Sequence, residues 1–129
     1  ATVFAGVDSG LNHLIRPMMY GSYHHIENVS EPEGTPHIYT VVGNICETDT
    51  FGWDRKIAEI KEGHLLAIRN AGAYGHSMSS NYNSRMRPPE ILVRDGKAQL
   101  IRRRETIDDL LATQVGPLVI KGSRAEVPA

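Results

Sequence analysis

The strongest local folding signal in this chain is a pair of apolar runs separated by Asp95-Gly96. The run Glu90–Val93 comes before the turn segment Arg94–Lys97, and the run Ala98–Ile101 follows it. An Asp-Gly pair between two apolar runs favours a tight hairpin, because both turn positions need a positive φ that these residues tolerate. The pattern therefore predicts an antiparallel hairpin.

Four other short segments are rich in β-branched and aromatic residues and predict further strands. These segments are Thr2–Val7, His25–Val29, His37–Gly43 and His64–Asn70, the last of which follows a turn at Lys61–Gly63. Strands at this spacing with little helix predict a mostly β fold, a sandwich or barrel with short helical segments.

Only short segments of the sequence have a helical pattern. Leu11–Tyr20 spaces its apolar residues as a helix does, but Pro17 argues against a long regular helix. Glu105–Leu111 predicts a short helix whose early acidic residues suit the helix dipole. The remaining segments predict loops, and they are Glu31–Pro36, Cys46–Arg55 and Ala71–Asn83.

The charge balance and the length of the apolar runs argue against some classes of function. Fourteen basic and 15 acidic residues give a net charge of −1, which argues against a broad basic surface for nucleic acid or an anionic membrane. Arg102–Arg104 is interpreted as a solvated face at a strand end. No apolar run approaches the roughly 18 residues of a membrane span.

The single cysteine, Cys46, excludes an intramolecular disulfide, and we expect a reducing, cytoplasmic compartment. The six histidines share no ligand spacing, so no metal site is expected.

The pair Cys46-Glu47 follows a predicted strand directly and is the first candidate for chemistry. A thiol can give a proton to a carbanion, and a neighbouring carboxylate can hold an ammonium group. The alternative is a buried cysteine that packs as a small hydrophobic side chain.

Three more side chains are candidates for ligand binding. Arg16 and Tyr20 are four residues apart, so one helical turn would place them on the same face, where a guanidinium and a phenol suit a carboxylate. Tyr74 lies among small residues that let a planar ligand or a phosphate approach its ring. The alternatives are a surface arginine beside a half-buried tyrosine, and a loop tyrosine that caps the core.

Read together in order, these strings resemble the C-terminal motifs of diaminopimelate decarboxylases. The strings are VDSGLNHLIRPMMYGSYH, VVGNICETDTF, EGHLLAIRNAGAYGHSMSSNYNSRMRPPEILV and RRRETIDDLL. Four separated motifs in one order are far more specific than any single motif. The resemblance implies the C-terminal β-domain of fold-type III, alanine-racemase-like enzymes that depend on pyridoxal 5'-phosphate.

The resemblance also implies roles for the candidate residues. Arg16 and Tyr20 match positions that bind a substrate carboxylate, and Tyr74 matches a tyrosine that contacts substrate and cofactor. Cys46 matches the cysteine that protonates the carbon left after CO2 loss, and Glu47 matches the acid that recognises the distal end of diaminopimelate. In this family the last two residues would reach into the partner subunit's site, so an obligatory homodimer is expected.

The implied activity is the conversion of meso-2,6-diaminopimelate to L-lysine and CO2 in lysine biosynthesis. Related ornithine and arginine decarboxylases usually have Asp at the position of Glu47, which favours diaminopimelate as substrate. Thr48 departs mildly from the Ser common in the family. The alternatives are a related basic amino-acid decarboxylase, or a stand-alone binding or dimerisation module.

The chain is expected to be one part of a longer enzyme, because it starts without Met and directly in a strand-like run. We expect residues 1–115 to form the β-domain, with the family's N-terminal (β/α)8 barrel as its partner, and residues 116–129 to form a tail without assignment. The lysines of the chain are not in the context of the family's cofactor lysine, so the isolated chain is expected to be inactive. They include Lys56, Lys61, Lys97 and Lys121.

Overall fold

A computed structural model describes residues 1–116, 119–121 and 124–126, with the backbone alone for the last two segments. The chain divides into two compact units, Ala1–Arg87 and Pro88–Ala129. Strands and a few short helices make up the regular structure of both units, which confirms the mostly β class. The strands of the described residues are grouped in small open sheets, and no closed barrel is found among them.

The first unit contains a three-stranded sheet and a two-stranded sheet. Its elements are β1 (Phe4–Gly6), α1 (Arg16–Tyr20), β2 (Ile26–Asn28), β3 (Pro36–Val42), β4 (Thr50–Ala58), β5 (Leu66–Ile68), α2 (Gly72–Met78) and a 3₁₀ turn at Tyr82–Ser84. β3 lies between β1, which runs parallel to it, and β4, which is antiparallel. β2 and β5 form the second, antiparallel sheet.

The core of this unit lies where the two sheets supply apolar side chains to one cluster. Val41 of β3, Phe51 of β4 and Ile26 of β2 are almost completely buried, and Ile57 and Leu14 join them. Removal of these apolar surfaces from water is the main favourable contribution to folding. The core thereby fixes the strands from which the loops around residues 8–12 and 43–49 project.

The second unit begins with the expected hairpin, β6 (Glu90–Arg94) and β7 (Lys97–Arg102). Asp95 has a φ of 50° and Gly96 a φ of 70°, so both turn residues adopt the left-handed conformation that the Asp-Gly signal predicts. The helix α3 (Ile107–Leu111) follows, and the strands β8 (Val119–Lys121) and β9 (Arg124–Glu126) pair antiparallel.

The predicted helix near residues 105–111 is confirmed, with a capping box between Thr106 and Asp109. Arg103 donates two hydrogen bonds to Asp109, and Arg102 donates one to Glu90. All three arginines are exposed, which agrees with the expected solvated face, and Arg102 and Arg103 are paired with carboxylates.

The loop prediction for Cys46–Arg55 is wrong from Thr50 onward, because β4 begins there and is the longest strand of the first unit. Because its pairing with β3 is irregular, the sequence of this strand does not show the alternation of apolar and polar residues that predicts a strand. The register shifts twice between Tyr39 and Val42, and Asp54 has a φ of 47°. Such bulges send successive side chains to unexpected faces, so the apolar alternation of a regular strand is lost.

The loop prediction for Ala71–Asn83 is also wrong over Gly72–Met78, which form the helix α2. Glycine and serine have weak helix propensity, but propensity is a small term that tertiary contacts override. Here Ala71 packs against the core, and its carbonyl accepts a 2.7 Å hydrogen bond from the Gly75 amide. The short helix at Arg16–Tyr20 agrees with the interruption expected from Pro17, which sits in its first turn.

The C-terminal tail, which the sequence leaves without assignment, is described in part. Of the unassigned tail, residues 117–118, 122–123 and 127–129 lie outside the described residues, whereas β8 and β9 lie inside them. Within the described part of the chain, no helix has the length and apolar character needed to span a bilayer.

Candidate active site

The helix α1 places Arg16 and Tyr20 one turn apart, as their spacing predicts. Pro17 lies in the first turn of the helix, where its fixed φ is suitable, and Gly21 ends the helix in the left-handed conformation with a φ of 62°. The Arg16 guanidinium carbon lies 5.9 Å from the centre of the Tyr20 ring. The two side chains therefore lie on the same face of α1.

Tyr74 joins this pair from the second helix. The Arg16 guanidinium carbon lies 4.2 Å from the centre of the Tyr74 ring, within the range of a cation–π contact. Arg16 Nε is buried and has no hydrogen-bond partner within the described residues. We call Arg16, Tyr20 and Tyr74 the arginine cluster, and its free donor suits a carboxylate or phosphate oxygen.

Cys46 and Glu47 lie in the loop between β3 and β4, which a buried aspartate organises. Asp49 accepts a hydrogen bond from the Ile45 amide at 3.0 Å through its side chain and one from the Gly43 amide at 2.7 Å through its carbonyl. A Cβ atom at Gly43 would meet the Asp49 carboxylate at 2.1 Å, so only glycine fits this approach. The loop consequently holds Cys46 and Glu47 at its tip.

Both side chains at this tip are exposed, so the alternative of a buried core cysteine at position 46 is wrong. The Tyr82 hydroxyl donates a hydrogen bond to Glu47 Oε1. This bond is the main cause that lowers the pKa of the Glu47 carboxyl and raises the pKa of the Tyr82 phenol. We call Cys46, Glu47 and Tyr82 the thiol–carboxylate cluster, in which Glu47 is favoured as a charged acceptor.

The five predicted site residues thus fall into two clusters. No hydrogen bond or ring contact joins the arginine cluster to Cys46 or Glu47 within the described residues. Tyr82 was not singled out from the sequence, although it lies in the Ser- and Asn-rich string that follows Tyr74. The usable signal was a phenol in an otherwise polar loop, but its partner is 35 residues away.

Comparison with known proteins places these motifs in a family. Residues 1–72 match the family described as pyridoxal-dependent decarboxylase, C-terminal sheet domain. The chain belongs to this family. Four of the predicted site residues lie within the matched part of the chain, and Tyr74 lies two residues beyond it.

Individual relatives agree with the decarboxylase family. The chain is 57% identical over 116 residues to a diaminopimelate decarboxylase of Methanothermobacter thermautotrophicus, covering 88% of this chain and 27% of that protein. It is 47% identical over 125 residues to one from Escherichia coli K12, covering 87% of this chain and 30% of that protein. The chain therefore spans less than a third of the length of these relatives.

A solved structure gives the same result. The fold is similar to that of diaminopimelate decarboxylase from M. jannaschii in co-complex with L-lysine, with a TM-score of 0.80 and 40% sequence identity. The similarity covers 88% of this chain and 26% of that one. The sheet domain of the decarboxylase family is thus supported by sequence and by fold.

Proposed function

We propose that this chain is part of an enzyme that converts meso-2,6-diaminopimelate to L-lysine and CO2. The observation that carries the proposal is the exposed thiol of Cys46 beside Glu47, whose carboxylate Tyr82 holds in the charged form. The names of the relatives and the lysine-bound neighbour support diaminopimelate as the substrate. The activity would belong to the longer protein, of which this chain is the C-terminal part.

The side chains of the arginine cluster are of a kind that can bind pyridoxal 5'-phosphate, the cofactor of this family. The Tyr74 ring is half exposed, and its hydroxyl has no hydrogen-bond partner within the described residues, so it can donate to a phosphate or lie beside a planar ring. Tyr74 would contact pyridoxal 5'-phosphate and the substrate. The bound cofactor supplies an electron sink for the pair released when the carbon–carboxylate bond breaks.

The side chains of the chain itself would perform three tasks. Arg16 and Tyr20 would hold a substrate carboxylate, because a guanidinium fork and a phenol donate parallel hydrogen bonds to it. Glu47 would accept hydrogen bonds from the distal ammonium. Cys46 Sγ would give its proton to the carbon that has lost CO2, and the exposed thiolate would regain a proton from solvent.

The separation of the two clusters supports a homodimer with the active site at the subunit interface. In this arrangement Cys46 and Glu47 would serve the partner subunit's site, whereas the arginine cluster would serve the site of its own chain. Such a division explains why no direct contact links these two groups in the described residues of one chain.

Exposed apolar surface supports a further partner, the barrel domain of the same protein. A groove of about 670 Å³ lies between β1 and β5 and is lined by residues that include Phe4, Val7, Leu66 and Ile68. Phe4 is 65% exposed and Leu65 is 68% exposed. Large exposed apolar side chains of this kind mark surfaces that bind other protein surfaces. We further propose residues 1–115 as the β-domain and the cytoplasm as the location.

Kinetics of the full-length enzyme test the proposal. Glu47→Gln keeps the size of the side chain and removes its charge, so we expect kcat/KM for diaminopimelate to fall about 10-fold or more, from the 1.5–3 kcal/mol typical of a hydrogen bond to a charged group. Cys46→Ala should lower kcat more than it raises KM, because proton delivery acts in the chemical steps.

Glu33→Gln is the matched control, since Glu33 is an exposed glutamate in the loop before β3. It should leave kcat and KM unchanged. If Glu47→Gln and Cys46→Ala also stay within about twofold of the parent, less than 0.5 kcal/mol, neither residue has the proposed role.

A further inference from the structure

The orientation of the Glu47 carboxylate depends on one neighbouring side chain. Tyr82 donates to Oε1, and among the described residues one further hydrogen bond, from the Glu47 backbone, lowers the pKa of the Glu47 carboxyl. Glu47 is otherwise exposed within the described residues. A glutamate without such a partner samples several rotamers, so binding a ligand would first have to restrict it.

The segment Ser79–Arg87, here the Tyr82 loop, is shaped to present this phenol. Asn83 and Ser84 have φ values of 58° and 57°, a left-handed conformation that non-glycine residues rarely adopt. The Asn81 side-chain amide donates to the Arg85 carbonyl at 3.0 Å and closes the turn. Arg87 donates to the Ser79 hydroxyl and carbonyl and to the Asn81 side chain, so the base of the loop is fixed as well.

The Tyr82 loop is also tied to two other parts of the first unit. The Ser80 amide donates to the Asn12 carbonyl at 2.9 Å, and His13 Nε2 donates to the Met86 carbonyl at 3.1 Å. On its other side, Arg85 donates to the Asn44 carbonyl at 3.3 Å, three residues before Glu47. These anchors hold the loop against the strand ends independently of the Tyr82–Glu47 bond.

From this arrangement we propose that Tyr82 is a positioning residue for substrate specificity: it holds the Glu47 carboxylate in one orientation for the distal ammonium of the substrate. The inference rests on the proposed function, which assigns that ammonium to Glu47. A carboxylate has about four lone-pair sites, so a bond from Tyr82 to one oxygen leaves acceptors for an ammonium. Tyr82 itself need not touch the substrate.

Tyr82→Phe in the full-length enzyme removes the hydroxyl and keeps the ring. We expect KM for diaminopimelate to rise roughly 3- to 30-fold, because a hydrogen bond to a charged group is lost, while kcat stays within about twofold. The selectivity for diaminopimelate over an analogue without the distal ammonium should fall by a similar factor. In a Glu47→Gln background, Tyr82→Phe should have no further effect, because its acceptor charge is already gone.

Tyr23→Phe is the control, because Tyr23 is 70% exposed and its ring lies 4.0 Å from the Arg55 guanidinium, outside both clusters. It should leave KM and selectivity unchanged. If Glu47→Gln leaves KM unchanged, the proposed role of Glu47 fails and this inference fails with it. If Glu47→Gln raises KM but Tyr82→Phe does not, the proposed function stands and the inference alone is overturned.

The pH profile separates positioning from a general structural defect. The bond from Tyr82 lowers the pKa of Glu47, so its loss must raise that pKa. In Tyr82→Phe the increase of KM on acidification should therefore begin at a higher pH than in the parent. The groups facing Glu47 are Cys46 and Tyr82, with the Arg85 guanidinium bound at Asn44. A profile with an unchanged acid limb would contradict the inference.

Discussion

Each of the two compact units of this chain is stabilised internally in a different way. In residues 1–87, Val41, Phe51 and Ile26 are almost fully buried and come from three strands in two different sheets. In residues 88–116 no side chain is buried, and Val93 and Leu100 are 70% and 59% exposed. The first unit has its own core, whereas the described side chains of the second are organised by contacts between near neighbours.

The two units therefore depend on different interactions, local turn and cap conformations in the second and burial of apolar side chains in the first. The second unit uses the Asp95-Gly96 turn, the capping box at Thr106 and exposed ion pairs such as that of Arg103 with Asp109. Exposed ion pairs contribute little to stability, so the turn and cap conformations matter more than the charges. The first unit instead depends on burial, and its candidate site residues lie at the ends of elements which that core positions.

Truncation of a core side chain should have the largest effect. Phe51→Ala in β4 is expected to reduce the free energy of unfolding of the chain by about 3–5 kcal/mol, because it leaves a cavity between the sheets. Urea unfolding followed by far-ultraviolet circular dichroism measures this change. Trp53→Ala is the control on the same strand, since Trp53 is 50% exposed and should cost about 1 kcal/mol or less. Equal losses for both variants would remove the contrast between the buried and exposed sides of β4.

The same contrast explains which elements the sequence could predict. The Asp95-Gly96 hairpin and the helix at Ile107–Leu111 depend on residues within a few positions of each other, and both are present as predicted. The strand β4 depends on pairing with β3 through shifted register, and no local pattern encodes those bulges. The helix α2 was missed because its glycines and serines disfavour helix locally, while contacts of Ala71 with the core override that preference.

The candidate site shows the same division. The spacing of Arg16 and Tyr20 was readable because one helical turn relates them, whereas the approach of Tyr74 to Arg16 joins residues 58 positions apart. Tyr82 could not be predicted as a site residue, because the sequence shows only a tyrosine among polar residues. Glu47 could be predicted from the sequence, but its pairing with Tyr82 depends on the Tyr82 loop lying beside the loop between β3 and β4, 35 residues away in sequence.

Two identical substitutions in the two units should have opposite, moderate effects. Gly96→Ala places a Cβ at a φ of 70°, which should cost roughly 1–2 kcal/mol and increase amide hydrogen exchange in β6 and β7. Gly75→Ala lies within α2, where a Cβ meets nothing within 4 Å, and should stabilise the chain by about 0.5–1 kcal/mol. The two variants are compared by urea unfolding. A stabilising effect of Gly96→Ala would show that the turn geometry does not limit the hairpin.

The smallest expected effect concerns the pH dependence of the second unit. Hydrogen bonds from Arg103, and then from the Thr106 amide, hold the pKa of Asp109 well below its usual range. A carboxyl with a lowered folded pKa contributes stability above its unfolded pKa of about 3.9, and this contribution is lost as the pH falls through the folded pKa. Arg103→Met removes the main cause, so the Asp109 midpoint in a carbon-detected NMR titration should move upward, toward the unfolded value. Glu90→Gln, which breaks the ion pair of Glu90 with Arg102, should leave that midpoint in place. A midpoint insensitive to Arg103→Met would mean that the cap alone, without the neighbouring arginine, sets the ionisation of Asp109.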